Sequence, residues 1–370
     1  MVFSNEMVST MTIDYTEIIE IIKAEKTIRL KTIANVIQSL FDEAQSNNFS
    51  MYDEEGNVSY RLTYQSKLRT LADFFSDESF LYEGTSDDFH NLAVDYARNN
   101  MYSEACIVLE RGIALRPSSI DLLADYLLYG KQISAKRAQC RKNYESLMAI
   151  PRSMWNWRAY SFLIDYLLEE RYYSSSQEAE TAIRTECLTI AQEYIRRYSG
   201  NDLEKDNTVS DKVDRAFSDL AGIYGAFGEY DKEKSTLKNC ADTYKKVPVS
   251  SLRLADIEFS SGNYADAAYY LSKCVAAMDP QPTIRQGYVY LLRAYSNASI
   301  LFTEQTNRSD NLISTEQRKD LVSTIKKDLN TAEALLGNSN NEYRTSIETL
   351  RRILEMQCDK EDASIIEDWS

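Results

Sequence analysis

The sequence predicts an all-α protein, an α-solenoid of antiparallel helix hairpins, and three observations carry that expectation. Glycine and proline are scarce, 11 and 5 among 370 residues, which favours long helices over a sheet-rich fold with many tight turns. The segments 214–247 and 248–281 align without a gap at an offset of 34, and a fixed period of that size marks stacked repeats. Leu220 matches Leu254, Ala221 matches Ala255, Gly228 matches Gly262, Tyr230 matches Tyr264, Leu237 matches Leu271 and Cys240 matches Cys274. Apolar residues elsewhere recur at helical spacing, and a hydrophobic content of 44% suffices for a continuous core. A chain of this length forms either two globular domains or one elongated stack.

Residues 1–80 lie outside the period and predict an N-terminal helical cap or bundle packed on the first repeat. Ile18, Ile22, Ile33, Ile37, Leu40 and Phe41 point to one long or broken helix, and Leu68, Leu71, Phe74 and Phe75 to another. Between them, residues 53–57 read as a turn that closes a small hairpin. The repeat array is expected over 81–357, with its clearest units at 86–119, 214–247 and 248–281.

The first unit is the best copy. Phe89, Leu92, Tyr96 and Leu109 fill a seam at i, i+3, i+4 spacing, while Ala93 and Ala105 stand where two helices approach most closely. Pro117 cannot continue a helix and starts the next unit. Residues 119–151 keep the two-helix rhythm and end on Pro151. Residues 152–200 predict an enlarged hairpin, with Trp157, Tyr160, Ile164 and Leu167 on one helix and Ala182, Leu188, Ala191 and Tyr194 on the other. Two departures leave local packing open: Glu233 takes a small-residue slot and Glu258 an aromatic one. After Pro280 and Pro282, Tyr288, Leu291, Leu292 and Tyr295 resume the pattern, and 315–336 supplies the partner helix. An amphipathic helix at 341–357 caps the array, and 358–370 is an acidic tail.

Taken together, Leu92-Ala93, Tyr96, Tyr102, Ala105, Leu109, Gly112 and Pro117, with the Gly-x-Tyr turns of the later units, resemble the tetratricopeptide repeat (TPR). That resemblance implies a TPR-like superhelix whose first helices line a concave groove. Projected onto this chain, the groove receives His90, Val94 and Arg98 from the first unit, Ser218 and Gly222 from the second, Leu252, Asp256 and Phe259 from the third, and Arg293 and Asn297 from the last. The Lys and Asn pair with which chaperone-binding members clamp a terminal carboxylate is absent, since His90 and Val94, and again Ser218 and Gly222, stand there. The implied function is a non-catalytic scaffold or adaptor that binds a partner protein or peptide, alone or as one component of a multi-protein assembly. The alternative is a regulatory receptor for a short signalling peptide.

Charge and composition narrow the classes further. The 42 Lys and Arg against 57 Asp and Glu leave a net charge of −15, which opposes nucleic acid and anionic membrane as partners. Neither a signal peptide nor an uninterrupted apolar span is legible, so a cytoplasmic location is expected. The dispersed cysteines, Cys106, Cys140, Cys187, Cys240, Cys274 and Cys358, read as small buried residues with free thiols. His90 is the one histidine, which excludes paired-histidine metal sites. Gly222, Gly225 and Gly228 lack the spacing and the preceding strand of a phosphate loop. No catalytic residue, metal or cofactor is expected.

Overall fold

Three chain reversals with one geometry set the repeat architecture. Asn100, Gly228 and Gly262 all take positive φ, at 59°, 74° and 79°, and each lies two residues before the tyrosine that opens a second helix. The same two hydrogen bonds close each reversal. The amides of Met101, Glu229 and Asn263 donate to the carbonyls of Tyr96, Tyr224 and Glu258 at 3.1, 2.9 and 2.9 Å. Those of Asn100, Gly228 and Gly262 donate to Ala97, Gly225 and Phe259 at 2.9, 3.1 and 3.0 Å. This is the Schellman pattern, which satisfies the last carbonyls of a helix through one left-handed residue. Glycine takes that conformation freely, and asparagine is the side chain that tolerates it best.

The computed structural model describes residues 15–46, 60–199, 210–244, 246–277, 284–306, 314–336 and 341–357. The turn expected at 53–57 and the acidic tail at 358–370 lie outside the described residues. Within them the chain is all-α apart from two three-residue strands. It forms two compact units, Met1–Ile183 and Arg184–Ser370.

The first unit opens with α1 (Tyr15–Glu25), strand β1 (Thr27–Arg29), α2 (Leu30–Ser46) and α3 (Tyr60–Asp73). The helix expected as one long or broken element is broken, and Lys26, with φ of 52°, marks the break. Beyond a 3₁₀ turn at Phe74–Ser76, strand β2 (Leu81–Glu83) pairs with β1 in parallel, Thr27 opposite Leu81 and Arg29 opposite Glu83. Fully buried Ile28 anchors the pair, and Arg29 Nε donates to Glu83 at 3.2 Å. Gly84 follows with φ of 156°, and a Cβ there would lie 2.5 Å from the Leu30 side chain, so only glycine lets the strand pass this close.

Repeat hairpins follow. Helices α4 (Ser86–Arg98) and α5 (Tyr102–Leu115) form the first, with Phe89, Leu92, Ala93, Tyr96, Ala105 and Leu109 all fully buried. Thr85 and Asp88 cap α4 reciprocally. A Cβ on Gly112 would lie 3.0 Å from both Leu122 and Phe89, so its small size is a packing requirement. Next come α6 (Ile120–Gly130) with α7 (Arg137–Met148), then α8 (Trp157–Glu170), which packs on α6, and α9 (Gln177–Tyr198), the helix within which the first unit ends and the second begins. The enlarged hairpin expected at 152–200 has its two helical segments in α8 and α9, which the unit boundary divides. Its second helix buries Cys187, Ile190, Ala191 and Tyr194, while Ala182 is exposed.

In the second unit α10 (Ser210–Ala226) pairs with α11 (Tyr230–Thr243), α12 (Pro248–Ser260) with α13 (Tyr264–Ala277), and α14 (Ile284–Thr306) with α15 (Thr315–Leu336). Ala221, Leu237, Leu254, Ala255 and Leu271 share one core cluster, so residues matched by the 34-residue period are also packed together. A second cluster joins Leu291, Leu329 and Leu336 to Ile347, Leu350 and Leu354 of α16 (Asn341–Gln357). That amphipathic helix covers the apolar edge a terminal hairpin would otherwise expose.

Candidate interaction face

Polar contacts between first helices recur about one repeat apart in sequence. In the first unit His90 on α4 meets Asp125 on α6, thirty-five residues on, with Nδ1 2.5 Å from Oδ2. Asp121 accepts from Asn156 at 2.8 Å and from Arg158 at 3.3 Å, and Asn156 is the residue that caps α8. Lys131 pairs with Asp165. Asp125 is fully buried, and its other oxygen has no hydrogen-bond partner among the described residues. Burial therefore holds its carboxyl above the usual range even though the His90 hydrogen bond acts the other way. Of the expected groove residues here, Val94 is half-buried, and Arg98 is exposed with an ion pair to Asp95 on its own helix.

The second unit follows the same rule with different chemistry. Asp214 on α10 accepts the backbone amides of Val249 and Ser250 at 2.7 and 2.8 Å, closing the N-terminus of α12 from the neighbouring repeat. Burial raises its pKa against those hydrogen bonds. Arg253 donates from α12 to the Ser218 carbonyl at 3.1 Å and forms an ion pair with Glu233. A Cβ on Gly225 would lie 2.5 Å from the Glu233 carboxylate, so this glycine makes the room that the acidic residue occupies. A Cβ on Gly222 would stand 3.4 Å from the Arg253 guanidinium. The small residues on α10 thus accommodate the chain's own side chains.

Glu258, in the aromatic slot, is 3% exposed and is held by Lys234 at 2.8 Å and by Asn263 at 2.8 Å. Burial works to raise its pKa, and these hydrogen bonds outweigh burial and set it below the ordinary value. Arg293 grips Asp328 of α15 with two hydrogen bonds, at 2.8 and 2.7 Å, and Asn297 is buried on α14. Burial nonetheless keeps Asp328 above the carboxylate range. Both departures from the repeat consensus are therefore filled by ion pairs, and Arg293 ties a hairpin together.

Leu252, Asp256 and Phe259 remain along α12 at i, i+4, i+7, each half-buried. Leu252 and Phe259 rest against the core cluster below them. Tyr288 on α14 is 39% exposed, and its hydroxyl donates to Asp256 at 3.4 Å. In the sequence Tyr288 resumes the repeat pattern, and in the structure it also borders this stripe. The signal that would have found it is its spacing of 32 residues from Asp256, close to the 35 that relate His90 to Asp125.

The described thiols are chemically quiet, and Cys358 lies outside the described residues. Cys106, Cys140, Cys187, Cys240 and Cys274 are free and buried, and burial pushes them up to about 12, 11, 12, 12 and 12. None forms the thiolate that nucleophilic chemistry needs near neutral pH. Among the described residues no helix is long and apolar enough to cross a membrane, and no group of three His, Cys, Asp or Glu could hold a metal ion.

No protein-family model matches the chain, and no curated protein matches it. Among solved structures it is similar to a thermophilic TPR protein of Thermus thermophilus, at 16% identity and a TM-score of 0.42, over 59% of this chain and 100% of that one. It is similar also to a tetratricopeptide repeat protein of Parabacteroides merdae, at 11% identity and a TM-score of 0.41, over 86% and 99% of the two chains. A third similarity is to PilF of Pseudomonas aeruginosa, at 15% identity and 0.39, over 70% and 95%.

Proposed function

We propose that this chain is a non-catalytic, cytoplasmic protein-interaction scaffold that docks a partner protein or peptide on its first-helix face, with the principal contact in the second unit. The observation that carries this reading is the stripe of Leu252, Asp256 and Phe259 beside Tyr288. Neighbouring charged groups are taken up by internal ion pairs and caps, whereas this stripe keeps apolar and aromatic surface partly open. Rigid aromatic rings flanking a polar group are what a partner's side chains need as anchors. Repeat hairpins suit such a role because the core fixes the helices while the outward positions vary freely. The net charge of −15 sets the chain against polyanions at long range. Burial raises the pKa of the five described thiols, so none of these is poised as a nucleophile near neutral pH.

Site-specific photocrosslinking tests the reading in native cells. Benzoylphenylalanine placed at Phe259 or Tyr288 is expected to give one discrete crosslinked partner. The same probe at Tyr230 or Tyr269, exposed residues of second helices, is expected to give none. A discrete product from the second-helix positions alone would contradict the proposal.

A further inference from the structure

We infer that the first-helix face of the second unit receives a cationic side chain of its partner, an arginine beside an apolar residue, with Asp256 as the counter-ion. This inference rests on the docking face proposed above and specifies what that face selects.

Charge accounting around α12 carries it. Glu233 is neutralised by Arg253 and Glu258 by Lys234, while Asp328 is neutralised by Arg293. Asp214 is satisfied by two backbone amides. Asp256 differs from all of them. Among the described residues no Lys or Arg forms an ion pair with it, and its hydrogen bond from Tyr288 is long at 3.4 Å.

Leu252 and Phe259 flank it on the same helix stripe, so water is partly excluded from the carboxylate while no cation replaces that water. Burial accordingly holds this carboxyl above the ordinary range.

Three kinds of partner group can be weighed against this arrangement. An anion would meet Asp256 with Arg253 and Arg293 already engaged, and would be repelled. An uncharged group would strip the remaining water from the carboxylate without supplying a strong donor, which costs free energy. A guanidinium supplies donors to the carboxylate and a flat face for the rings of Phe259 and Tyr288, which a compact ammonium does less well. The overall charge of −15 also draws a basic segment toward the chain.

Fluorescence anisotropy on the purified full chain tests the inference with three labelled peptide pools. All three are degenerate in apolar residues around one fixed central residue, which is Arg, Gln or Glu. The Arg pool is expected to bind about tenfold more tightly than the Gln pool, with the Glu pool weakest. Asp256→Asn is expected to erase the Arg preference while melting no lower than the native chain, which separates lost recognition from lost folding. Phe259→Ala is expected to weaken all three pools alike. Equal binding of Arg and Gln pools, no binding of the Arg pool up to about 1 mM, or a preference that survives in Asp256→Asn would overturn the inference. If Phe259→Ala weakens the pools while Asp256→Asn changes no preference, the docking face stands and only the cation assignment falls. If neither substitution matters, both fall.

Discussion

Glu233 and Glu258 occupy positions where a repeat of this kind ordinarily buries a small and an aromatic residue, and both solve the problem in the same way. Each takes a cation from the adjoining helix, Arg253 or Lys234, and Gly225 supplies the volume that the Glu233 carboxylate needs. Breaking such a pair by removing one partner leaves a buried charge uncompensated. Among the described residues Asp256 has no such cationic partner, and its titration should reveal that. Its folded pKa is raised by burial, with Tyr288 acting weakly against it. The Cys274 thiol feels the same negative charge, along with the opposing charge of Arg293. A raised carboxyl contributes most below its unfolded pKa of about 3.9, and that contribution is lost as pH rises through the folded value. Asp256→Asn should therefore raise the melting temperature at pH 7, with the gain shrinking on acidification and vanishing below about pH 4. Thermal melts at several pH values check this, and a variant that melts lower at pH 7 would contradict it. Asp256 and Phe259 were legible in the sequence because the repeat register alone places them. The partners of Glu233, Glu258 and His90 were not, because they depend on which side chain another repeat offers, and no local pattern encodes that choice.

At the scale of elements, the reversals at Gly228 and Gly262 were the most legible feature, as Gly-x-Tyr turns, whereas the same left-handed reversal at Asn100 carries no glycine to mark it. A Cβ at Gly228 or Gly262 meets nothing within 4 Å, so substitution there tests backbone conformation without a packing change. Gly262→Ala should cost about 1 kcal/mol. Gly262→Asn should cost less, because Asn100 already holds the same reversal in the first hairpin. Urea unfolding midpoints check the order, and equal losses for Ala and Asn would contradict the conformational account. The β1–β2 pair was illegible for the opposite reason. Two runs of three residues carry too little alternation to read as strands, and Arg29 and Glu83 meet only because the chain returns after fifty-four residues. Gly84, which permits that approach, is indistinguishable in sequence from an ordinary turn glycine.

For the molecule as a whole, each unit is built by repeating one contact rule: matched apolar positions form the core, and polar residues about one repeat apart join successive first helices. The core half of the rule follows from residue type, and so the period, the hairpins and the terminal helix α16 could all be anticipated. Polar joints differ at every step, from His90–Asp125 to Asp214 with its amides and Arg253 with Ser218. The proposed docking face is what those joints leave open: the repeat register offers its candidates, and the joints remove the others from it. Hydrogen–deuterium exchange of the full chain, with and without a saturating Arg-centred peptide pool, tests this most directly. The account predicts slowed exchange in α12 around 252–259 and in α14 around 286–293, with α11 and α13 unchanged. Protection confined to α11 and α13, or to the N-terminal helices α1 to α3, would contradict it.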